Sequence, residues 1–297
     1  MKQAGYDVIN RMGRIEYPAI NISEVVSQAR ASVMGKSFEA AIYAFANVYH
    51  CTKKDIIHER AIQVLRSSPL HSMTTTTRYS KDGRIIAQLP GFTLGDISSK
   101  EYNNAVWSKM VEYYELEVNF AVHGRIYPAL QVLTLEHRIP KSFCEALAWN
   151  SPIVPLDRAE LVGKALSAGF DHDFTVGLHL LVPQIENMVR IALTAAGIRT
   201  TNIQDGIENE NGLSTLMLDP SVDNIIGVDL AFELRALFCD PFGPNLRNEI
   251  AHGLLDDEEC QSDLAVYAWW FGLKLVFNAL WKSTVRYDAG QEKKDSE

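Results

Sequence analysis

Apolar positions in this chain recur mostly every three to four residues, the spacing that stacks side chains on one face of an α-helix. The pattern predicts helices over 22–34, ending at Gly35, and over 36–50. A third, with Thr52 and Asp55 as its start signal, runs to about Ser67. One stretch departs from helical spacing. Ser72 to Tyr79 is rich in threonine, Asp82-Gly83 is a turn signal and Arg84 to Leu89 is apolar, so a β-hairpin is expected near 72–89, closed by Pro90-Gly91. Helical spacing returns over 98–123, 127–137, 140–149 and 157–168, with His123 and His137 at helix ends. The strongest helix spans 173–196: Leu178, Leu181, Ile185, Met188, Val189 and Ala192 make one apolar stripe, and Pro183 is expected to kink it. A loop with a short helix over 206–219 precedes helices at 222–238, 244–252 and 262–285, and the polar tail 287–297 is expected to fray. The fold class is all-α, mainly helical. The expected organisation is an N-terminal helical region, 1–170, carrying the hairpin, a helical bundle over 171–286, and the tail; a single compact body is the alternative.

The composition is that of a soluble globular protein, 47% hydrophobic and 22% charged over 297 residues. Cys51, Cys144, Cys239 and Cys260 are scattered without a CxxC pair, which suits reduced packing residues of a cytoplasmic protein and implies no metal site. Asp171-His172-Asp173 reads as a cap for the helix behind it, because neighbouring residues on a helix point apart. Met1 to Pro18 lacks the apolar core of a secretory signal. Leu264 to Trp281 is barely long enough to span a bilayer, holds Lys274 mid-segment and has Trp269 and Trp270 away from its ends. No membrane association is expected; the segment reads as the buried member of a bundle or as a subunit interface. No Walker motif, GxGxxG or GxSxG elbow is present, which argues against NTP hydrolysis, dinucleotide chemistry and serine-hydrolase reactions, and no cofactor is expected.

The formal charge of -9 counts against a large nucleic-acid footprint, since phosphate affinity comes mainly from Lys and Arg. Any such activity needs a local basic cleft, for which Arg190, Arg199, Arg235, Arg247, Lys274 and Arg286 are the candidates. The chemistry concentrates in Leu246 to Leu254. Arg247 offers a permanently charged fork for phosphate oxygens, and His252 can exchange a proton near neutral pH. Pro244 suits a first helical turn and Gly253 a left-handed cap. Asn248 and His252 stack at i, i+4, whereas Arg247 lies about 140° around from His252, so the two heads converge better if a two-fold axis brings in a second copy. The plain alternative is that Arg247 pairs with Glu249 or Asp256 while His252 caps carbonyls. Arg66 and His71 repeat the spacing with Pro69 between them, which shows that spacing alone is a weak signal. Glu186 and Arg190, at i, i+4 on the strongest helix, form either a local ion pair or, with Asn187, a wall facing the Arg/His helix.

Arg247-Asn248-Glu249-Ile250-Ala251-His252 resembles the Arg-polar-x(3–5)-His motif of the HEPN superfamily (higher eukaryotes and prokaryotes nucleotide-binding). The run from Gly243 through Leu254, Pro183-Gln184-Ile185-Glu186-Asn187 with Arg190, and His71 through Arg84 is similar to the family known as domain of unknown function 4209. The resemblance implies a HEPN-type helical bundle and a homodimer. It further implies a metal-independent endoribonuclease, a toxin or phage-defence effector with a possible cognate inhibitor or antitoxin. It makes Arg247 and His252 catalytic and gives Asn248, Glu186, Asn187 and Arg190 to substrate RNA. HEPN folds also include inactive modules that bind RNA, a nucleotide or a protein partner, and members can carry more upstream sequence.

Overall fold

A computed structural model describes residues 7, 20–67, 74–92 and 97–294, the side chains from 286 onward excepted. Met1 to Pro18 apart from Asp7, the Pro69–His71 stretch, the first two residues of the expected hairpin and the Arg286 side chain lie outside the described residues. The protein is mainly helical, as its apolar spacing predicts. Helices α1 (Ser23–Val33), α2 (Phe38–Ala46) and α3 (Lys54–Ser67) lead to strands β1 (Thr76–Tyr79) and β2 (Ile85–Leu89). These strands pair antiparallel, with a bulge at Arg78/Tyr79. Then come α4 (Lys100–Ala121), α5 (Tyr127–Glu136), α6 (Lys141–Asn150), α7 (Ala159–Phe170) and α8 (Phe174–Ala195), whose first turn is capped by Asp173 on the Val176 amide at 3.0 Å. Strands β3 (Thr201–Gln204) and β4 (Ile207–Glu210) precede α9 (Leu213–Leu216), α10 (Val222–Ile226), α11 (Val228–Leu234), α12 (Leu246–Ala251) and α13 (Asp263–Lys294).

Five expectations need correction. The chain does not break at His123-Gly124: it passes from α4 into α5 through a π-helical turn, Val122–Ile126, and His123 instead pairs with Asp263 at 2.7 Å. The α3 start is satisfied from a distance, the Lys54 amide donating to Asp229 at 2.9 Å, in place of a Thr52 cap. A second hairpin, β3–β4, occupies part of the expected loop; Asp205 and Gly206, both at positive φ, make the tight turn that matches strand twist. The expected helix over 222–238 is split at Gly227 (φ 94°) and ends in another π-helical segment, Arg235–Cys239. The last helix also runs on to Lys294, so helical backbone extends into the tail.

The buried apolar side chains form one continuous cluster drawn from both sides of residue 170, with α13 through its middle. Trp269, Trp270 and Tyr267 are fully buried there. The Trp269 indole donates to the Leu166 carbonyl at 3.2 Å and sits among Phe45, Phe170 and Phe174; the Trp270 indole donates to the Phe45 carbonyl at 3.0 Å. Lys274 is accommodated inside by the Tyr49 carbonyl at 2.7 Å and by the Trp270 ring at 4.8 Å, and burial lowers its ammonium pKa. The Asp263–Val285 segment is long and apolar enough to cross a membrane (mean hydropathy 1.3), and 56% of its most apolar stretch is buried against the rest of the chain. Of the two readings offered for this helix, its packing within the chain is that of a bundle core.

Close helix approach at this centre depends on a missing side chain. A Cβ on Gly169 would lie 2.1 Å from the Trp269 ring. Over-packing a core costs about 1–3 kcal/mol, and a rigid fused ring yields little. Gly169→Ala should therefore lower stability by about 3 kcal/mol despite alanine's better helix propensity, read as a fall in the denaturant midpoint; an unchanged midpoint would mean that α7 and α13 can move apart freely.

Candidate functional site

Helix α12 is shorter than expected. Pro244 lies outside it, and Asn245, in the left-handed conformation at φ 51°, is its N-cap. The close approach that sets its entry is at Gly243, where a Cβ would meet the Ala236 carbonyl oxygen at 2.4 Å and Val111 at 2.9 Å. The C-terminus matches expectation. Gly253 at φ 62° lets its amide donate to the Ile250 carbonyl at 3.1 Å, while the Leu254 amide reaches Glu249 at 2.8 Å. This doubled closure, a Schellman motif, ends the helix sharply at His252.

Arg247 does pair with an acid, though with neither acid anticipated from its neighbourhood. Its Nε donates to Glu186 Oε2 at 2.6 Å and its Nη2 to Oε1 at 3.4 Å. The same Oε1 accepts from Arg190 Nη2 at 2.7 Å. Arg190 in turn donates to the Asn211 carbonyl at 2.9 Å and lies 3.0 Å from Glu210. Glu186, only 9% exposed, thus ties α8, the end of β4 and α12 together. Burial works against its charge, but the hydrogen bonds from Arg247 and Arg190 outweigh that, and its pKa falls below the usual carboxylate range. The hydrogen bond that Arg247 donates to Glu186 raises the Arg247 pKa in turn. Gly212 lies against this guanidinium, a Cβ there falling 3.0 Å from Nη2. Arg247 Nη1 makes no hydrogen bond among the described residues, so the carboxylate takes one edge of the fork.

Glu186 and Arg190 form the local i, i+4 pair, and Glu186 also reaches Arg247 on the Arg/His helix, whereas Arg190 turns to Glu210 and Asn211. Asn187 is half-buried and makes no hydrogen bond among the described residues. Asn248 faces elsewhere. It lines a cleft of about 560 Å³ between α12 and the first hairpin, with Arg78, Arg84, Asn245 and Ser262. Across that cleft Lys81 bridges Asp256 at 2.9 Å and Glu259 at 3.1 Å, and Arg78 is held by the Phe242 carbonyl. His252 lines neither wall; it is exposed, and its ring has no hydrogen-bond or ion-pair partner among the described residues. A single chain thus does not bring the Arg247 and His252 heads into one cleft.

The broader basic cleft is not assembled either. Arg190 and Arg247 share Glu186, Arg235 pairs with Asp223 at 2.5 Å, Lys274 is half-buried against the Tyr49 carbonyl, and Arg199 is exposed. Asn211 and Gly212 were missed from the sequence, although Asp205-Gly206 was a turn signal for the hairpin that delivers Asn211. All four cysteines are free thiols. Among the described residues no group of three or more His, Cys, Asp or Glu could hold a metal ion. No protein-family model matches the chain, and no curated protein or solved structure matches it either.

Proposed function

We propose that the protein is a metal-independent, HEPN-type endoribonuclease of the toxin or phage-defence kind, completed by a second copy of the chain. The observation that carries this reading is the pair of unspent groups on α12: an exposed His252 ring without a partner, and an Arg247 whose Nη1 is unbound while Glu186 fixes its other edge. A guanidinium held in this way loses less rotamer freedom on meeting a phosphate than a free one would. Two α12 helices related by a two-fold axis would supply two imidazoles and two guanidiniums to one phosphodiester. One His252 takes the proton from the ribose 2′-hydroxyl as its oxygen attacks phosphorus. The other His252 gives a proton to the departing 5′-oxygen. Arg247 stabilises the charge that builds on the non-bridging oxygens. The products are a cyclic 2′,3′-phosphate and a 5′-hydroxyl. Asn248, at i, i+4 from His252, would hold RNA on the cleft side.

One observation favours a second reading, a non-catalytic HEPN module that binds RNA, a nucleotide or a protein partner: the charge of Arg247 is already matched by Glu186. Incubation of the purified chain with total RNA and tRNA in excess EDTA separates the two. Cleavage leaving cyclic phosphate ends, with a DNA of the same sequence untouched, is the expected result. RNA retained but intact would move the assignment to the binding module, and neither cleavage nor retention would remove RNA from the reading altogether.

A further inference from the structure

A second cleft, of about 790 Å³, shares no lining residue with the one beside α12. It lies among α1, α2, the π-helical turn after α4 and the far end of α13. Its volume is within the roughly 300–1,000 Å³ range of small-ligand sites. Two of its features are unusual. Tyr43 and Trp281 keep 42% and 48% of their surface exposed, their ring centroids 4.8 Å apart and the planes tilted by 53°, so they form an open aromatic corner and not a closed stack. Trp281 is backed by Phe277 at 6.4 Å with the planes 12° apart, which fixes the ring that faces the opening. The cleft also carries two cations, Lys36 and Arg125, that have no ion-pair partner among the described residues, against one carboxylate, Glu39. In the other clefts Lys81, Arg78 and Arg235 are held by acids or a carbonyl, whereas Arg84 makes no ion pair among the described residues.

We infer that this cleft is a binding site for a nucleoside phosphate, with the base on the Tyr43/Trp281 corner and the phosphates on Arg125 and Lys36. The pairing of a flat apolar surface with unpaired cations selects a ligand that is aromatic at one end and anionic at the other. Asn47, the C-cap of α2, also lines the cleft, its side-chain Nδ2 donating to the Tyr43 carbonyl at 3.0 Å and its Oδ1 accepting from Asn278 at 3.2 Å. The site rests on none of the α12 residues and stands whether or not the chain cleaves RNA.

Calorimetric titration of the full chain with AMP, ADP, ATP, inorganic pyrophosphate and a short 5′-phosphorylated oligoribonucleotide tests it. The expected result is binding of ADP or ATP that weakens about tenfold in Arg125→Ala and about tenfold in Trp281→Ala, with Trp281→Phe restoring most of the loss. RNA cleavage should be unchanged in Arg125→Ala. Tighter binding of the oligoribonucleotide than of ATP would assign the site to a nucleotide of an RNA strand; the reverse would assign it to a free nucleotide. Pyrophosphate binding as well as ATP, alanine variants binding like wild type, or no binding by any of the probes would overturn the inference. Circular dichroism of each variant separates lost binding from lost folding.

Discussion

His252→Ala should leave the protein as stable as the wild type, within about 0.5 kcal/mol, while lowering RNA cleavage by about 10²- to 10⁴-fold. The stability half follows from exposure: the ring contacts no partner whose loss would be felt, and the helix end is closed by backbone hydrogen bonds from Gly253 and Leu254 that alanine keeps. The activity half follows from proton bookkeeping. With water as the only base the 2′-hydroxyl must lose its proton unaided, and arginine cannot substitute for the missing base because it stays charged. Parallel thermal melts and EDTA-treated RNA assays read both halves. A variant that melts well below wild type would show that His252 is structural. A stable variant that still cleaves would place the chemistry elsewhere.

Glu186→Gln should instead lower stability, by about 3 kcal/mol, as well as cleavage. Removing one partner of a buried ion pair leaves its counter-charges without compensation, at a cost of roughly 3–5 kcal/mol. Here two guanidiniums are left facing one neutral amide. The lower end applies because the Arg247 side chain keeps 31% of its surface exposed and water can reach it. The pH dependence supplies an internal control. The Glu186 pKa is depressed in the folded state, so its stabilisation is fully present above about pH 4.5 and is lost as the pH falls through the lower, folded value. Wild type and Glu186→Gln should therefore differ most near neutral pH and converge in acid, in urea titrations at a series of pH values. A gap that stays constant down to low pH would mean that the charge on Glu186 contributes nothing.

How much of this could be read in the sequence varies with the range of the interaction. Helix periodicity, the first hairpin, the Asp173 cap and the left-handed Gly253 are local properties of a few residues, and each was legible. The Glu186–Arg190 pair, four residues apart, was legible for the same reason. The Glu186–Arg247 contact was not, because it joins residues 61 apart and depends on where α8 and α12 dock. Local reasoning offered Glu249 and Asp256 as partners, yet the carboxylate of the first makes no ion pair among the described residues and the second is taken by Lys81. The separation of His252 from Arg247 was legible in outline from the 3.6-residue turn. The π-helical segments at 122–126 and 235–239 carried no recognised signal: each adds a residue to a turn inside an otherwise helical pattern.

The central position of α13 has a consequence for how the chain reaches its native state. The Trp270 indole meets Phe45, and the Lys274 ammonium meets Tyr49, across 225 residues of intervening sequence in each case. At about 5–20 residues per second, translation separates the two ends of such a contact by roughly 10–45 s. Contacts this distant in sequence also slow folding, because a long loop must close before any of them forms. α8, which carries Glu186, packs against α13, so the acid that orients Arg247 waits on the same event. A nascent chain would already contain the motif helix but not the docked pillar that aligns it. Synthesis order thus delays assembly of the Arg247 clamp until the central helix has been made.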